Sequence, residues 1–324
     1  MKACTRDTYG EADVLAVRDV DTPTPAADEV LVQVRASSND RGVWHLMTGR
    51  PYLMRPFTGL RAPKVRVLGR AFAGTVTAVG PNVTRFGPGD AVFGTSGHGT
   101  WAEYTAAPEK LVAPMPANVS PEQAAAAVIS GVTALQALRD TAKLRPGQHV
   151  LVIGAAGGVG SFAVMIAKSM GATVTGVCST SKVDLVRSLG ADDVVDYTRE
   201  EVDARGPRYD VVVDTAGNRP LSLLARALTP DGTVALVGGE DKQGLLLHGF
   251  ERQLFAPLTG LRHRRTMRNV LTRENAADLA ALGELMSSGA VTPAIVHTYP
   301  LADAPEAMRY LAAGHPAGKV VITV

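Results

Sequence analysis

A chain of 324 residues has room for two domains, and 46% hydrophobic with 20% charged content is that of an ordinary globular protein with ample core material. Its 33 Lys and Arg against 31 Asp and Glu leave a formal net charge of +2, so no global field draws it to nucleic acid or to an acidic surface. Two distant cysteines (Cys4, Cys178), an opening segment without an apolar core and no apolar run of about 18 residues argue against a disulfide framework, a zinc cluster, a signal peptide and a membrane span; the expected setting is a reducing cytoplasm.

The first 120 residues read as β-rich. Glu29 to Arg35 alternates as a half-buried strand, Ala71 to Val79 is a second, Phe86 to Gly94 is a Gly-Pro turn feeding a third, and Thr100 to Ala106 is strand-like. Short strands joined by such turns predict a small barrel. Between two of them lies Ser37 to Leu68, an irregular stretch carrying Asn39, Trp44, His45, Tyr52 and several arginines. A loop this long in a compact domain is more often functional than structural, so it is the candidate substrate wall.

Ser120-Pro121-Glu122-Gln123 combines an N-cap hydroxyl, a proline at the first helical position and a glutamine that completes a capping box. Composition changes there from β-rich to alternating βα, so the expected division is 1–120, 121–265 and 266–324. Val150 to Ile153, Thr173 to Cys178, Asp193 to Asp196, Asp210 to Asp214 and Thr233 to Val237 are five apolar strand cores separated by helices or turns. The helix near Lys182 to Leu189 stops at Gly190, which suits a left-handed cap. This alternation predicts an α/β fold with a doubly wound parallel sheet and a ligand at the carboxyl ends of its strands. After Gly239 the pattern weakens. The basic residues from Arg262 to Arg268 read as a solvated helix face or subunit contact in preference to a phosphate or nucleic-acid patch. Asn275 to Ser288 is an amphipathic helix, and Gly318 to Val324 is a strand able to rejoin the first domain.

The first of the five strands breaks into Gly154-Ala155-Ala156-Gly157-Gly158-Val159-Gly160 before a long apolar helix. Without side chains the loop backbone can approach a pyrophosphate, whose charge is met by the amides and positive end of that helix. The spacing A-x-G-x-x-G has alanine for the first glycine of the dinucleotide fingerprint, and a plain strand–turn–helix is the alternative. The second strand ends Val177-Cys178-Ser179-Thr180-Ser181-Lys182, with no carboxylate for a ribose 2′-hydroxyl but with Ser179 and Lys182 to donate to a 2′-phosphate. A charge-assisted hydrogen bond contributes about 1.5–3 kcal/mol, so NADP(H) is expected over NAD(H). Lys182 can instead simply begin a solvated helix.

Taken together these residues resemble the medium-chain dehydrogenase/reductase superfamily, and within it the zinc-free quinone oxidoreductase-like branch. The likeness rests on Asn39 continuing into Trp44 to Gly49, Val67-Leu68-Gly69, Arg85 to Asp90, Gly131-Val132-Thr133-Ala134, Gly154 to Gly160 and Gly318-Lys319-Val320-Val321. It implies a GroES-like catalytic domain built from both chain ends, a Rossmann domain, an active site in the cleft between them and a homodimer. Asn39 stands where the zinc-dependent branch has its first cysteine, and Gly69-Arg70 where that branch has Gly-His. The chain offers too few convergent ligands for zinc. Alanine at Ala71 replaces an aspartate of the branch pattern, and Gly42 lies where an acidic residue is often found near the aromatic; both departures bear on specificity.

For the cofactor the resemblance implies Thr133 near the nicotinamide, Ala156, Gly157, Gly158 and Val159 at the pyrophosphate, and Ser179, Lys182 and Tyr197 at the adenosine end. It also implies Val237, Gly238 and Gly239 at the fifth strand's end and Gly318 and Lys319 beside the cleft. Asn39 and Tyr52 are candidates to orient the acceptor; a turn cap and a packed aromatic are their structural alternatives, and a structural role is expected of His45. Without a Lewis acid, a quinone or an α,β-unsaturated carbonyl is the expected acceptor, since its reduced oxygen needs only hydrogen-bond donors and a solvent proton. An enoyl or alkenal reductase of a biosynthetic pathway and a non-catalytic NADPH-binding sensor or scaffold are the alternatives.

Overall fold

The computed structural model describes residues 1–206, 208–238, 251–314 and 317–324, the side chain of Glu251 excepted. Contacts divide the chain into two compact units, residues 1–132 with 273–324 and residues 133–272. The first holds β1 (Lys2–Thr5), β2 (Ala16–Asp19), β3 (Glu29–Asn39), α1 (Arg41–Thr48), α2 (Arg55–Thr58), β4 (Ala71–Val79), β5 (Ala91–Thr95), β6 (Tyr104–Pro108) and β7 (Val112–Pro114). Helix α3 (Pro121–Gln136) leads into the second unit, with β8 (His149–Ile153), α4 (Gly158–Ser169), β9 (Thr173–Cys178), α5 (Val183–Ser188) and β10 (Asp193–Asp196). There follow β11 (Tyr209–Asp214), α6 (Leu221–Ala227), β12 (Leu228–Leu236), α7 (Glu251–His263) and β13 (Thr266–Asn269). The chain returns to the first unit with α8 (Ala276–Ser287), β14 (Ile295–Pro300), α9 (Ala304–Ala313) and β15 (Lys319–Thr323).

The capping box that opens α3 is formed in both directions. Gln123 N donates to Ser120 Oγ at 3.3 Å, and Ser120 N donates to Gln123 Oε1 at 3.0 Å. The helix therefore starts at the change in composition, while the division between units falls inside it, at Thr133.

In the first unit the sheet runs β14-β15-β3-β4-β5-β7, with β6 also on β3. Strand β3 is long enough to take two partners along one edge: Glu29 to Gln33 pair with β6, and Ala36 to Asn39 pair with β15. The other edge carries β4. Alternation puts Val30, Val32 and Val34 on one face, against Phe72, Val76, Val92 and Val112. Val320 and Ile322 of β15 join a second cluster with Val43, Trp44 and Met47 of α1 and Met308 and Leu311 of α9. The stretch expected to be irregular is thus partly ordered: Ser37 to Asn39 finish β3, and α1 follows, its N-cap Asp40 accepting from Val43 N at 3.3 Å and its C-cap Gly49 at φ +62°. Two helical turns are too short to show a periodicity in the sequence.

Among the described residues the second unit carries a parallel sheet of order β10-β9-β8-β11-β12-β13. From β8 the chain builds outward through β9 and β10, then returns to the other side of β8 with β11. The switch point, where open sheets bind ligands, therefore lies at the carboxyl ends of β8 and β11. Val150 to Ile153 are fully buried, as a strand covered on both faces must be. The sheet has a sixth strand where five were read. Thr266-Met267-Arg268-Asn269 lacks an apolar run, but pairs with Thr233 to Leu236. The basic run from Arg262 accordingly ends α7 and enters β13; Arg265 donates to the Pro230 carbonyl and Arg268 to that of Thr141, both at 3.3 Å. The part of the weak region before residue 251 lies outside the described residues.

Candidate functional site

The glycine loop follows β8, and three of its glycines have separate reasons. Gly154 takes φ +80°, so the left-handed turn falls one residue before Ala155, which explains why alanine is accepted at the first fingerprint position. A Cβ on Gly160 would lie 2.0 Å from the Gly154 carbonyl oxygen, so that glycine lets α4 press against the loop. A Cβ on Gly157 would meet only that same oxygen, at 3.2 Å, and its remaining face is open. Gly157 caps α4, and the first-turn amides of a helix, here those of Gly158, Val159 and Gly160, have no acceptor within it. Ala156 is buried beside them. The loop fits a pyrophosphate through backbone amides and the helix dipole.

At the carboxyl ends of β9 and β10 the residues read as the adenosine end come together. Tyr197 N donates to the Cys178 carbonyl at 3.1 Å, and Lys182 N to the Ser179 carbonyl at 2.9 Å, folding the Ser179–Lys182 turn back beside Tyr197. Burial lowers the Lys182 pKa, against the neighbouring Cys178 thiol. One feature was missed from the sequence: a carboxylate is present here. It belongs to Asp196, on the strand next to β9, opposite Cys178. Its Oδ2 accepts from Thr180 Oγ1 at 2.5 Å and its Oδ1 from Thr198 N and Oγ1 at 3.0 and 2.8 Å; the Thr180 bond leads in holding its pKa low. The acid at the end of the third strand, directly before Tyr197, was the available signal. Arg219, from the loop after β11, was missed as well; its guanidinium lies 5.2 Å from the Tyr197 ring centroid.

On the other side of the switch point, Val237 N and Gly238 N both donate to the Asp214 carbonyl, at 2.9 and 3.1 Å. A Cβ on Gly238 would come within 2.4 Å of the Thr215 carbonyl oxygen, so only glycine fits. Thr133 is buried, and Thr272 Oγ1 donates to its hydroxyl at 3.2 Å. The Asp214 carboxylate is fully buried; its Oδ2 lies 2.7 Å from Arg252 Nη2, off-axis for a hydrogen bond, and its Oδ1 accepts from Gly217 N at 3.0 Å. Gly239 lies outside the described residues.

In the first unit the two acceptor candidates part company. Asn39 is buried at the end of β3, opposite Val320, and its Nδ2 donates to the Ala307 carbonyl at 2.9 Å. That amide is committed to joining β3 to α9 and is not in a loop. Tyr52 is 38% exposed, with the Arg55 guanidinium 4.4 Å from its ring centroid. His45 Nδ1 lies 2.8 Å from the Arg50 carbonyl oxygen, a structural contact. Gly318 takes φ +129°, where a Cβ would meet the Ala294 carbonyl oxygen at 2.3 Å. Lys319 is buried; its Nζ donates to Ser130 Oγ at 3.0 Å, and desolvation lowers its pKa against the charge of Asp40. Ser38 Oγ, Asn39 Oδ1 and Asp40 Oδ2 are buried without a hydrogen-bond partner among the described residues. Arg70 pairs with Glu274, and Ala71, fully buried, accepts from Ser37 Oγ at 2.7 Å. Among the described residues no three His, Cys, Asp or Glu side chains converge as metal ligands.

Two family models match this chain: the alcohol dehydrogenase GroES-like domain over residues 26–117 and the zinc-binding dehydrogenase family over residues 189–322. The chloroplastic quinone-oxidoreductase QR1 of Triphysaria versicolor is 33% identical over 99% of this chain and 98% of its own. The chloroplastic NADPH-dependent alkenal/one oxidoreductase of Arabidopsis thaliana is 32% identical over 99% of this chain and 79% of its own length. Among solved structures, the quinone oxidoreductase from Coxiella burnetii superposes with a TM-score of 0.87 at 27% identity, covering 100% of this chain and 99% of that one.

Proposed function

Because the chain belongs to the medium-chain dehydrogenase/reductase superfamily, in its zinc-free quinone oxidoreductase-like branch, we propose that this oxidoreductase transfers hydride from NADPH to a quinone or an α,β-unsaturated carbonyl without a metal. The observation that supports the cofactor choice is the Ser179–Lys182 turn folded beside Tyr197, a stretch whose hydroxyls and single ammonium suit a 2′-phosphate. NADPH, when bound, supplies the hydride. The chain's own residues bind and orient. The amides at Gly158 and Val159 hold the pyrophosphate, Ser179 and Lys182 the 2′-phosphate, and Gly238 lets the end of β12 pack against the Thr215 carbonyl. In the first unit the buried Lys319 Nζ donates to Ser130 Oγ, and Tyr52, 38% exposed, offers its phenol to an acceptor.

The alternative coenzyme, NADH, is favoured by one observation: Asp196 brings a carboxylate to the turn where a ribose 2′-hydroxyl would be read. The acceptor class follows the quinone and alkenal named for the relatives, and a homodimer in the cytoplasm belongs to the same proposal. The test is oxidation of NADPH, followed at the nicotinamide band, by metal-stripped protein given a 1,4-quinone, a 2-alkenal or a simple ketone, with NADH in parallel. Turnover of the quinone or alkenal with NADPH and not of the ketone is expected. Activity that needs added zinc would overturn the metal-free mechanism; NADPH binding without turnover of any acceptor would favour a sensor or scaffold.

A further inference from the structure

The loops after β9, β10 and β11 converge on one chemistry outside the glycine loop. Strands β10 and β11 are separated in the sheet by β9 and β8, yet Arg219 reaches across to stand 5.2 Å from the Tyr197 ring centroid. The reach is supported from below. The Arg219 carbonyl accepts from Arg252 Nε at 3.0 Å, and the Arg252 guanidinium lies against the buried Asp214 carboxylate. Arg219 Nη1 also donates to Asn218 Oδ1 at 3.2 Å, which further restricts the fork.

Resting on the NADPH reading above, we propose that Arg219 is a second cation for the 2′-phosphate, completing a pocket with Ser179, Lys182 and Tyr197. A guanidinium stacked on an aromatic face keeps its in-plane N–H donors directed outward, the fork that matches two phosphate oxygens. A phosphate dianion is matched poorly by one half-buried ammonium, and arginine adds a charge that does not titrate. The carboxylate that would oppose the phosphate is occupied. Asp196 accepts from Thr180 and Thr198, and Arg199 Nε stands 3.5 Å from its Oδ2. Those bonds hold Asp196 ionised; Arg199 offsets its charge, and Lys182 and Arg219 supply the excess positive charge for the phosphate.

Calorimetric titration with adenosine 2′,5′-bisphosphate and with 5′-AMP isolates the 2′-phosphate from the rest of the coenzyme. The wild-type protein is expected to bind the bisphosphate about tenfold or more tightly than 5′-AMP. Arg219→Gln is expected to lose about tenfold for the bisphosphate and less than about twofold for 5′-AMP; Arg219→Lys, which keeps the charge but not the fork, regains only part of the loss. A thermal melt identifies folded variants, and should Arg219→Gln not fold, Arg219→Lys decides alone. Equal losses for both ligands, or an unchanged bisphosphate affinity in a folded variant, would overturn the role of Arg219 and leave the NADPH reading standing. A wild-type protein that does not distinguish the two ligands would overturn the NADPH reading, and this pocket with it.

Discussion

Replacing Arg252 with methionine tests whether the loops at the switch point hang from one buried ion pair. Asp214 is 0% and Arg252 14% exposed, with charged atoms 2.7 Å apart. At an effective dielectric of about 20 the gross attraction is roughly 6 kcal/mol, most of it offset by the desolvation of both groups. Methionine fills much of the same volume but leaves the carboxylate with the Gly217 N–H at 3.0 Å and no cation. Truncating one partner of such a pair costs about 3–5 kcal/mol, equivalent to a fall of roughly 4–8 °C in melting temperature for a chain of this size. Far-UV circular dichroism through thermal and urea unfolding measures the loss. Asp214→Asn alone and the double variant close the cycle, with an expected coupling of about 2 kcal/mol or more. A single-variant loss below about 1 kcal/mol, or a double variant as unstable as the summed singles, would refute the pair as an anchor. Since Arg252 Nε holds the Arg219 carbonyl, the same variant should also lose discrimination between adenosine 2′,5′-bisphosphate and 5′-AMP.

Gly160→Ala places a methyl 2.0 Å from the Gly154 carbonyl oxygen and should lower both stability and cofactor affinity. Gly157→Ala, with one contact at 3.2 Å, should stay folded and lose affinity alone; the two are separated by melting temperature and titration calorimetry, and equal melting losses would contradict the distinction. Lys182→Gln should weaken NADPH by roughly tenfold to a hundredfold and leave NADH nearly unchanged in equilibrium titrations; equal losses would remove the lysine from the 2′-phosphate. Burial raises the Cys4 thiol to about 12 from 9.0. Above pH 9 the unfolded thiol ionises while the folded one keeps its proton, so this group's contribution to stability falls as pH rises towards 12, by up to about 1.4 kcal/mol per unit. Urea unfolding at pH 8 and pH 10 of wild type and Cys4→Ala should show that difference; parallel pH profiles would argue against it.

Much of the frame could be read from the chain because its patterns were local. Ala71–Val79, Thr173–Cys178 and Asp193–Asp196 are strands over the ranges that alternation or apolar runs marked, and the capping box at Ser120 is fully formed. What escaped was either short or non-local. Helix α1 spans two turns, and β13 hides in a polar, arginine-rich segment whose only apolar member is Met267. Asp196 was missed because a carboxylate can reach the adenosine end from the neighbouring strand, which a search along one strand cannot see. Arg219 was missed because nothing in its neighbours announces a partner on a strand three places away. Asn39 has the position of a site residue, but its burial and its bond to Ala307 come from α9, far along the chain.

The change of partner along β3 also bears on the order in which the protein is made. The second unit is a continuous segment, 133–272, and can close as soon as it leaves the ribosome. The first cannot. Until residues 319–323 have been synthesised, Ala36 to Asn39 present open amides and carbonyls beside apolar Val43, Trp44 and Met47, which the later α9 and β15 bury. A nascent or truncated chain lacking β15 therefore carries an adhesive strand edge, a surface for chaperones to grip and for proteases to recognise.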